Sequence, residues 1–159
     1  MILITGANGQ LGTELRYLLD ERNLKYVATD VNELDITDEA QVLEQFKQIK
    51  PTIVFHCAAY TAVDKAEDEG KTLDYQINVT GTENIAKASE ALKATLVYIS
   101  TDYVFDGANR NGEYATDAET NPQNEYGRTK RLGEEAVEKY VSKHYIVRTS
   151  WVFGNYGHN

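Results

Sequence analysis

The sequence predicts an α/β protein with a doubly wound parallel sheet, and three observations predict it. Short runs of β-branched and aliphatic residues alternate with longer stretches whose apolar residues recur at helical spacing, the pattern of strands joined by crossover helices. A glycine-rich turn follows the first apolar run at once. The length of 159 residues fits one domain of about 150 residues.

Met1 to Thr5 reads as a strand, and Leu11, Leu15, Leu18 and Leu19 mark the helix after it. Tyr26 to Asp30 reads as a second strand. Val42, Leu43, Phe46 and Ile49 mark a second helix, with Thr37 as its expected cap and Pro51 just past its end. Thr52 to Cys57 is an almost continuous apolar run, as a strand covered on both faces requires. Leu73, Ile77 and Ile85 mark a helical stretch ending near Ala91, and Leu96 to Ser100 is a fourth strand. Residues 106 to 125 are polar and broken by Gly107, Gly112 and Pro122, which reads as a long loop. Tyr126 to Lys143 is a further helix with Leu132, Ala136, Val137 and Tyr140 on one side, and Tyr145 to Thr149 is the last strand. The chain stops soon afterwards, at Gly154 to Asn159, so the expectation is a dinucleotide-binding domain over residues 1–159 with a C-terminal substrate lobe outside it.

Sixteen basic against twenty-five acidic residues leave a net charge of −9, which argues against nucleic-acid and polybasic membrane partners. One cysteine excludes a disulfide framework, and His56, His144 and His158 lack metal-ligand spacing, so no metal is expected. Cys57 is expected as a small apolar filler in a buried strand, and the run 64–69 as a solvated helix face. The first residues carry no basic start of a signal peptide, and no apolar run approaches the roughly 20 residues that span a bilayer. A cytoplasmic protein is expected. The oligomeric state is not legible.

Gly6, Gly9 and Gly12 are spaced three apart between the first strand and the first helix. Gly6 would allow the tight turn, Gly9 would let backbone approach a pyrophosphate, and Gly12 would let helix and sheet pack closely. The helix N-terminus would add free N–H groups and a positive dipole end. In this strand–turn–helix context the pattern points to a Rossmann-like dinucleotide site. Asp30, eighteen residues beyond Gly12, ends the second strand, where a carboxylate can accept from the adenosine ribose hydroxyls and repel a 2′-phosphate. No arginine lies within or directly after the loop or Asp30. Charge therefore leans toward NADH over NADPH.

Tyr126 and Lys130 are four apart at the start of a helix, which puts a phenol and an ammonium on one face. A free phenol titrates near 10, and an adjacent cation would lower that. Such a tyrosine can act as general acid toward a carbonyl oxygen that is receiving a hydride. Tyr-x-x-x-Lys also arises by chance in a chain with 11 tyrosines, so the glycine loop supplies much of its weight. Ser100, Thr101 and Asp102 fall where the fourth strand ends, at the carboxyl edge that binds ligands in such sheets. A hydroxyl there suits either a carbonyl or a cap, and the sequence leaves both open.

Segments 6–12, 34–37, 57–64, 78–82, 100–105, 126–130 and 148–154 together resemble the extended short-chain dehydrogenase/reductase superfamily, and within it the family of dTDP-4-dehydrorhamnose reductases. The resemblance implies an NADH- or NADPH-dependent reduction of a dTDP-sugar at its C4 carbonyl. It implies Tyr126 as proton donor, Lys130 as binder of the nicotinamide ribose and tuner of Tyr126, and Thr101 as holder of the carbonyl. It implies Asn78 as support for the lysine through water, and Gly9, Gln10 and Leu11 against the pyrophosphate. Asp35 and Ile36 would flank the adenine, Ala58, Ala59 and Tyr60 would line the cofactor, and Asp102 and Trp151 would meet the sugar. Related dehydratases carry Asp-Glu after the threonine; here Asp102 is followed by Tyr103, which favours simple reduction. Two alternatives stand beside this reading: another sugar-nucleotide epimerase or reductase, and a non-catalytic binding protein resembling the regulatory subunit of methionine adenosyltransferase. An intact Thr101, Tyr126 and Lys130 favours an enzyme.

Overall fold

The computed structural model describes residues 1–109 and 112–156. Among these, five strands form one parallel sheet: β1 (Ile2–Thr5), β2 (Tyr26–Thr29), β3 (Ile53–His56), β4 (Thr95–Thr101) and β5 (His144–Thr149), in the order β2-β1-β3-β4-β5. Each pair is parallel, so the chain must cross over between them, and helices make the crossings. The order reverses between β1 and β3. That switch point is where the carboxyl ends of strands leave a crevice for a ligand.

Helix α1 (Gln10–Glu21) covers one face, where Leu19 and partly buried Leu15 pack on Ile4 and Ala7; Leu18 points to solvent instead. The opposite face carries α2 (Glu39–Ile49), α5 (Thr82–Ala91) and α6 (Glu125–Tyr140). There Phe46, Ile85, Leu96, Tyr98 and Val137 are buried together in the larger core. Each such side chain contributes about 1.5–3 kcal/mol by leaving water. The expected cover on both faces is incomplete at β4 and β5. Tyr145 and Val147 pair with Val97 and Ile99 on the α1 side of the sheet and remain 66% and 44% exposed. α1 packs over β1 and β2, and among the described residues no helix lies over this part.

Local chemistry corrects other boundaries. Asp38, not Thr37, caps α2 by accepting from Gln41 N (3.1 Å), because the Thr37 hydroxyl and N–H both donate to Asp35 Oδ1 (2.7 and 2.9 Å). The helical stretch ending at Ala91 is not continuous: short helices α3 (Val63–Ala66) and α4 (Lys71–Tyr75) lead into a π-helical turn, Gln76–Gly81, and then α5. Leu73 is exposed rather than packed. A 3₁₀ turn, Asp102–Val104, follows β4, and the polar segment after it holds no helix or strand among its described residues. Asn124 caps α6 by accepting from Gly127 N at 2.7 Å. The helix ends at Tyr140, earlier than expected, since Val141 turns to extended backbone and packs into the core.

Candidate active site

Gly6 takes a left-handed turn (φ +68°), and a Cβ there would stand 2.6 Å from Ala58 Cα. A Cβ on Gly12 would collide with Gly6 O and Ala7 Cα. Both glycines are therefore demanded by packing. Gly9 is different: its φ is −70°, and a Cβ would meet nothing closer than Gly6 O at 3.4 Å. The space above Gly9 is open, and α1 starts there with no side-chain cap and no acid in its first turn. Unused N–H groups and an open approach are what a pyrophosphate needs.

Two cavities meet over this loop. One, about 470 Å³, is bounded by Asp30, Leu34, Asp35, Ile36, Ala58 and Ile77. The other, about 360 Å³, is bounded by Gln10, Leu11, Thr101, Asp102, Tyr126, Lys130 and Trp151. Gly6, Gly9, Cys57 and Ala59 line both, so together they form one trough across the switch point. Its two-lobed shape, with an open glycine at the join, fits a dinucleotide. A larger hollow of about 890 Å³ lies between the 102–124 segment and β5, away from the glycine loop.

At the first end, Asp30 accepts from Asn8 N (2.9 Å) and Val31 N (2.8 Å), which fixes its carboxylate against the glycine loop. Asp35 is held by Thr37 and by its own N–H donating to Gln41. Ile36 is buried and fills against Gly81.

At the second end, Thr101 and Tyr126 share the cavity wall. Burial raises the Tyr126 phenol above its usual value, a hydrogen bond with Thr101 offsets part of that, and the carboxylates of Asp74 and Asp102 raise it further. The expected lowering by Lys130 is not what the geometry gives. Lys130 is buried, donates to Ile99 O (2.7 Å), and lies 4.2 Å from the centroid of the Tyr98 ring. Loss of water brings its pKa down to about 7, although Glu134 pulls the other way. Cys57 sits just past β3 and not within it; burial pushes its thiol up to about 12, which keeps it inert.

Asn78 and Tyr60 support the trough without lining either cavity. Asn78 Oδ1 accepts from Tyr60 N (2.9 Å), and Nδ2 donates to Tyr60 O (3.1 Å), Asp74 Oδ1 (2.7 Å) and Thr129 Oγ1 (3.3 Å). The amide is thus committed to pinning the chain after Ala59. Among the described residues no hydrogen bond joins it to Lys130. The Tyr60 hydroxyl turns toward Gly70.

Sequence reasoning missed three residues here. Asp74 is fully buried, and the loss of water raises its carboxyl; it receives hydrogen bonds from Asn78 and from Thr129 Oγ1 (2.9 Å). Its place one helical turn before Asn78 was a usable signal. Glu134, four residues after Lys130, is equally buried and accepts from Ser100 Oγ (2.6 Å), from Arg131 (2.9 Å) and from Arg148 through Nε and Nη2 (both 2.8 Å). Burial pushes its carboxyl up, and those donors outweigh it and hold it low. Arg16 is the third. It donates to Ala7 O (3.4 Å) and Asn8 Oδ1 (3.3 Å), so although no arginine lies within or directly after the loop in sequence, a guanidinium stands beside it in space. One helical turn carries it back from a position after Gly12.

His56 is committed to Thr5 (2.7 Å) and Thr82 (3.1 Å), and burial brings its pKa down to about 3. Among the described residues no group of three or more His, Cys, Asp or Glu could hold a metal; His158 lies outside them. No helix among them is long and apolar enough to cross a membrane. In the 64–69 run, Glu67 accepts from Glu125 N (2.7 Å) and so ties that segment to the start of α6.

Sheet order, glycine turn and trough together define a Rossmann-like nucleotide-binding fold. Comparison with known proteins narrows this. Residues 1–159 match the family described as the RmlD substrate binding domain, and the chain belongs to that family. It is 45% identical over 158 residues to a dTDP-4-dehydrorhamnose reductase of Streptomyces griseus, covering 99% of this chain and 51% of that protein. It superposes on the dTDP-4-dehydrorhamnose reductase of Bacillus anthracis in complex with NADP with a TM-score of 0.94 at 46% identity, over 99% of this chain and 56% of that one. A UDP-glucose 4-epimerase of Thermus thermophilus in complex with NAD matches with a TM-score of 0.82 at 25% identity, over 92% and 54% of the two chains. The chain spans about half the length of these relatives.

Proposed function

We propose that residues 1–159 are the dinucleotide-binding part of a sugar-nucleotide reductase acting on the C4 carbonyl of dTDP-4-dehydro-6-deoxy-L-mannose to give dTDP-L-rhamnose. The observation that carries this reading is the trough that runs from Asp30 over Gly9 to Thr101 and Tyr126. NADH or NADPH, when bound, supplies the hydride that C4 receives. The carbonyl oxygen then carries the electron pair of the broken π bond and takes a proton from the Tyr126 hydroxyl. A phenol held above its usual pKa stays protonated at neutral pH, which suits a donor. Thr101 holds the same oxygen, Lys130 binds the nicotinamide ribose, and Asp102 and Trp151 face the sugar. Gln10 and Leu11 follow the pyrophosphate, and Asp35, Ile36, Ala58 and Ala59 enclose the adenosine.

Relatives that bind NADP or NAD support a nicotinamide dinucleotide, and the Asp30 carboxylate favours NADH. The grip on the sugar nucleotide belongs to a lobe outside these residues, and the protein works in the cytoplasm without nucleic-acid or membrane partners. Tyr103 after Asp102 lacks the second carboxyl that elimination of water would use. The test is oxidation of NADH at 340 nm with the dTDP-4-keto sugar, using a chain extended to the relatives' length. Turnover is expected. Cofactor binding without turnover would favour the binding-protein alternative.

A further inference from the structure

Two charged side chains bond Asn8 at different atoms. Asp30 Oδ2 accepts from its main-chain N–H (2.9 Å), while Arg16 Nη1 donates to its side-chain Oδ1 (3.3 Å). Arg16 makes no ion pair to a carboxylate among the described residues; both its acceptors are neutral and both bonds are long. The other charge at this corner is Glu33, whose Oε2 accepts from Asp30 N (3.0 Å). An adenosine ribose hydrogen-bonded to Asp30 would have its hydroxyls beside Asn8, near the carboxylates of Asp30 and Glu33 and near the half-exposed Arg16, which bonds the Asn8 side chain.

We propose that Arg16 is the residue that lets this site take a 2′-phosphorylated dinucleotide despite Asp30. The inference rests on the dinucleotide reading above and deepens it. A phosphate on the ribose 2′-oxygen would replace two weak amide acceptors with a charged one, and a charge-assisted, forked bond to guanidinium is stronger than either. The long side chain needs only to leave Ala7 and Asn8. Asp30 and Glu33 oppose the same phosphate, so discrimination between the two cofactors is small, and Arg16 sets it.

Titration of NADH and NADPH into the protein, followed by nicotinamide fluorescence, tests this with Arg16→Gln and Arg16→Lys. The glutamine variant should weaken NADPH about tenfold while NADH changes less than twofold, and lysine should restore part of the loss. The NADPH deficit should also shrink at high salt. Equal losses for both cofactors, or NADPH affinity unchanged in the glutamine variant, would overturn the role of Arg16 and leave the trough assignment standing. Binding of neither cofactor by the unsubstituted protein would overturn both.

Discussion

The two ends of the trough are made of different material. At the Asp30 end, carboxylates are fixed by main-chain N–H groups and neighbouring hydroxyls, and they keep an open face to the cavity. At the Tyr126 end, phenol and ammonium lose water, and each has its proton affinity displaced by that loss. One end is arranged to recognise by position and charge. The other holds titratable groups whose proton affinities are displaced, as the proposed proton transfer requires. Displaced titration at one end of a cleft is the mark expected of the reacting end.

The largest effect that could break this contrast belongs to Tyr126. Tyr126→Phe keeps the ring and removes the proton, so in a full-length chain kcat should fall by about 10²–10⁴ with cofactor affinity unchanged. Most of the activity surviving when chemistry is rate-limiting would remove Tyr126 from the mechanism.

Lys130 sharpens the comparison through pH. Its pKa is about 7 when folded against 10.5 for a free lysine, so between these values the unfolded chain holds the extra proton and stability rises with pH. Lys130→Met should flatten that rise in urea unfolding from pH 7 to 10, and should also weaken the cofactor. An unchanged slope would mean that the ammonium is hydrated in solution.

Asp30→Ala gives the smallest change and probes the recognising end. It removes a ribose acceptor and a partner of Asn8, so NADH affinity should fall about three- to tenfold and NADPH affinity less. Parallel titrations check this, and equal losses would show that Asp30 reads no ribose.

The sheet, the glycine turn and the shared helix of Tyr126 and Lys130 were legible because each rests on local pattern: strand runs, glycine spacing, and one turn of a helix. The sequence left Thr101 between a cap and a carbonyl holder, and its Oγ1 accepts from Tyr103 N (3.2 Å) at the 3₁₀ turn. What escaped depends on the third dimension. Arg16 lies past the loop in sequence and returns to it only through helical geometry. The direction of Lys130 was hidden because spacing gives a shared helix face and not a rotamer; its ammonium donates to the Ile99 carbonyl. The π turn that carries Asn78 has no compositional signature, and its amide finds Tyr60 across 18 residues. Thr37 read as a cap because Asp35, two residues before it, was not seen as a competing acceptor. The open face at β4 and β5 follows from which helices lie over the sheet, a property no single segment holds.

Gly9 offers the most direct test of the trough. Unlike Gly6 and Gly12 it has room for a side chain and an ordinary φ, so Gly9→Val should fold normally by circular dichroism and thermal melting. Its branched side chain would occupy the join between the two cavities. NADH titration should then show affinity reduced at least roughly tenfold, more than 1.4 kcal/mol. A folded Gly9→Val protein that binds NADH as the unsubstituted chain does would place the dinucleotide elsewhere.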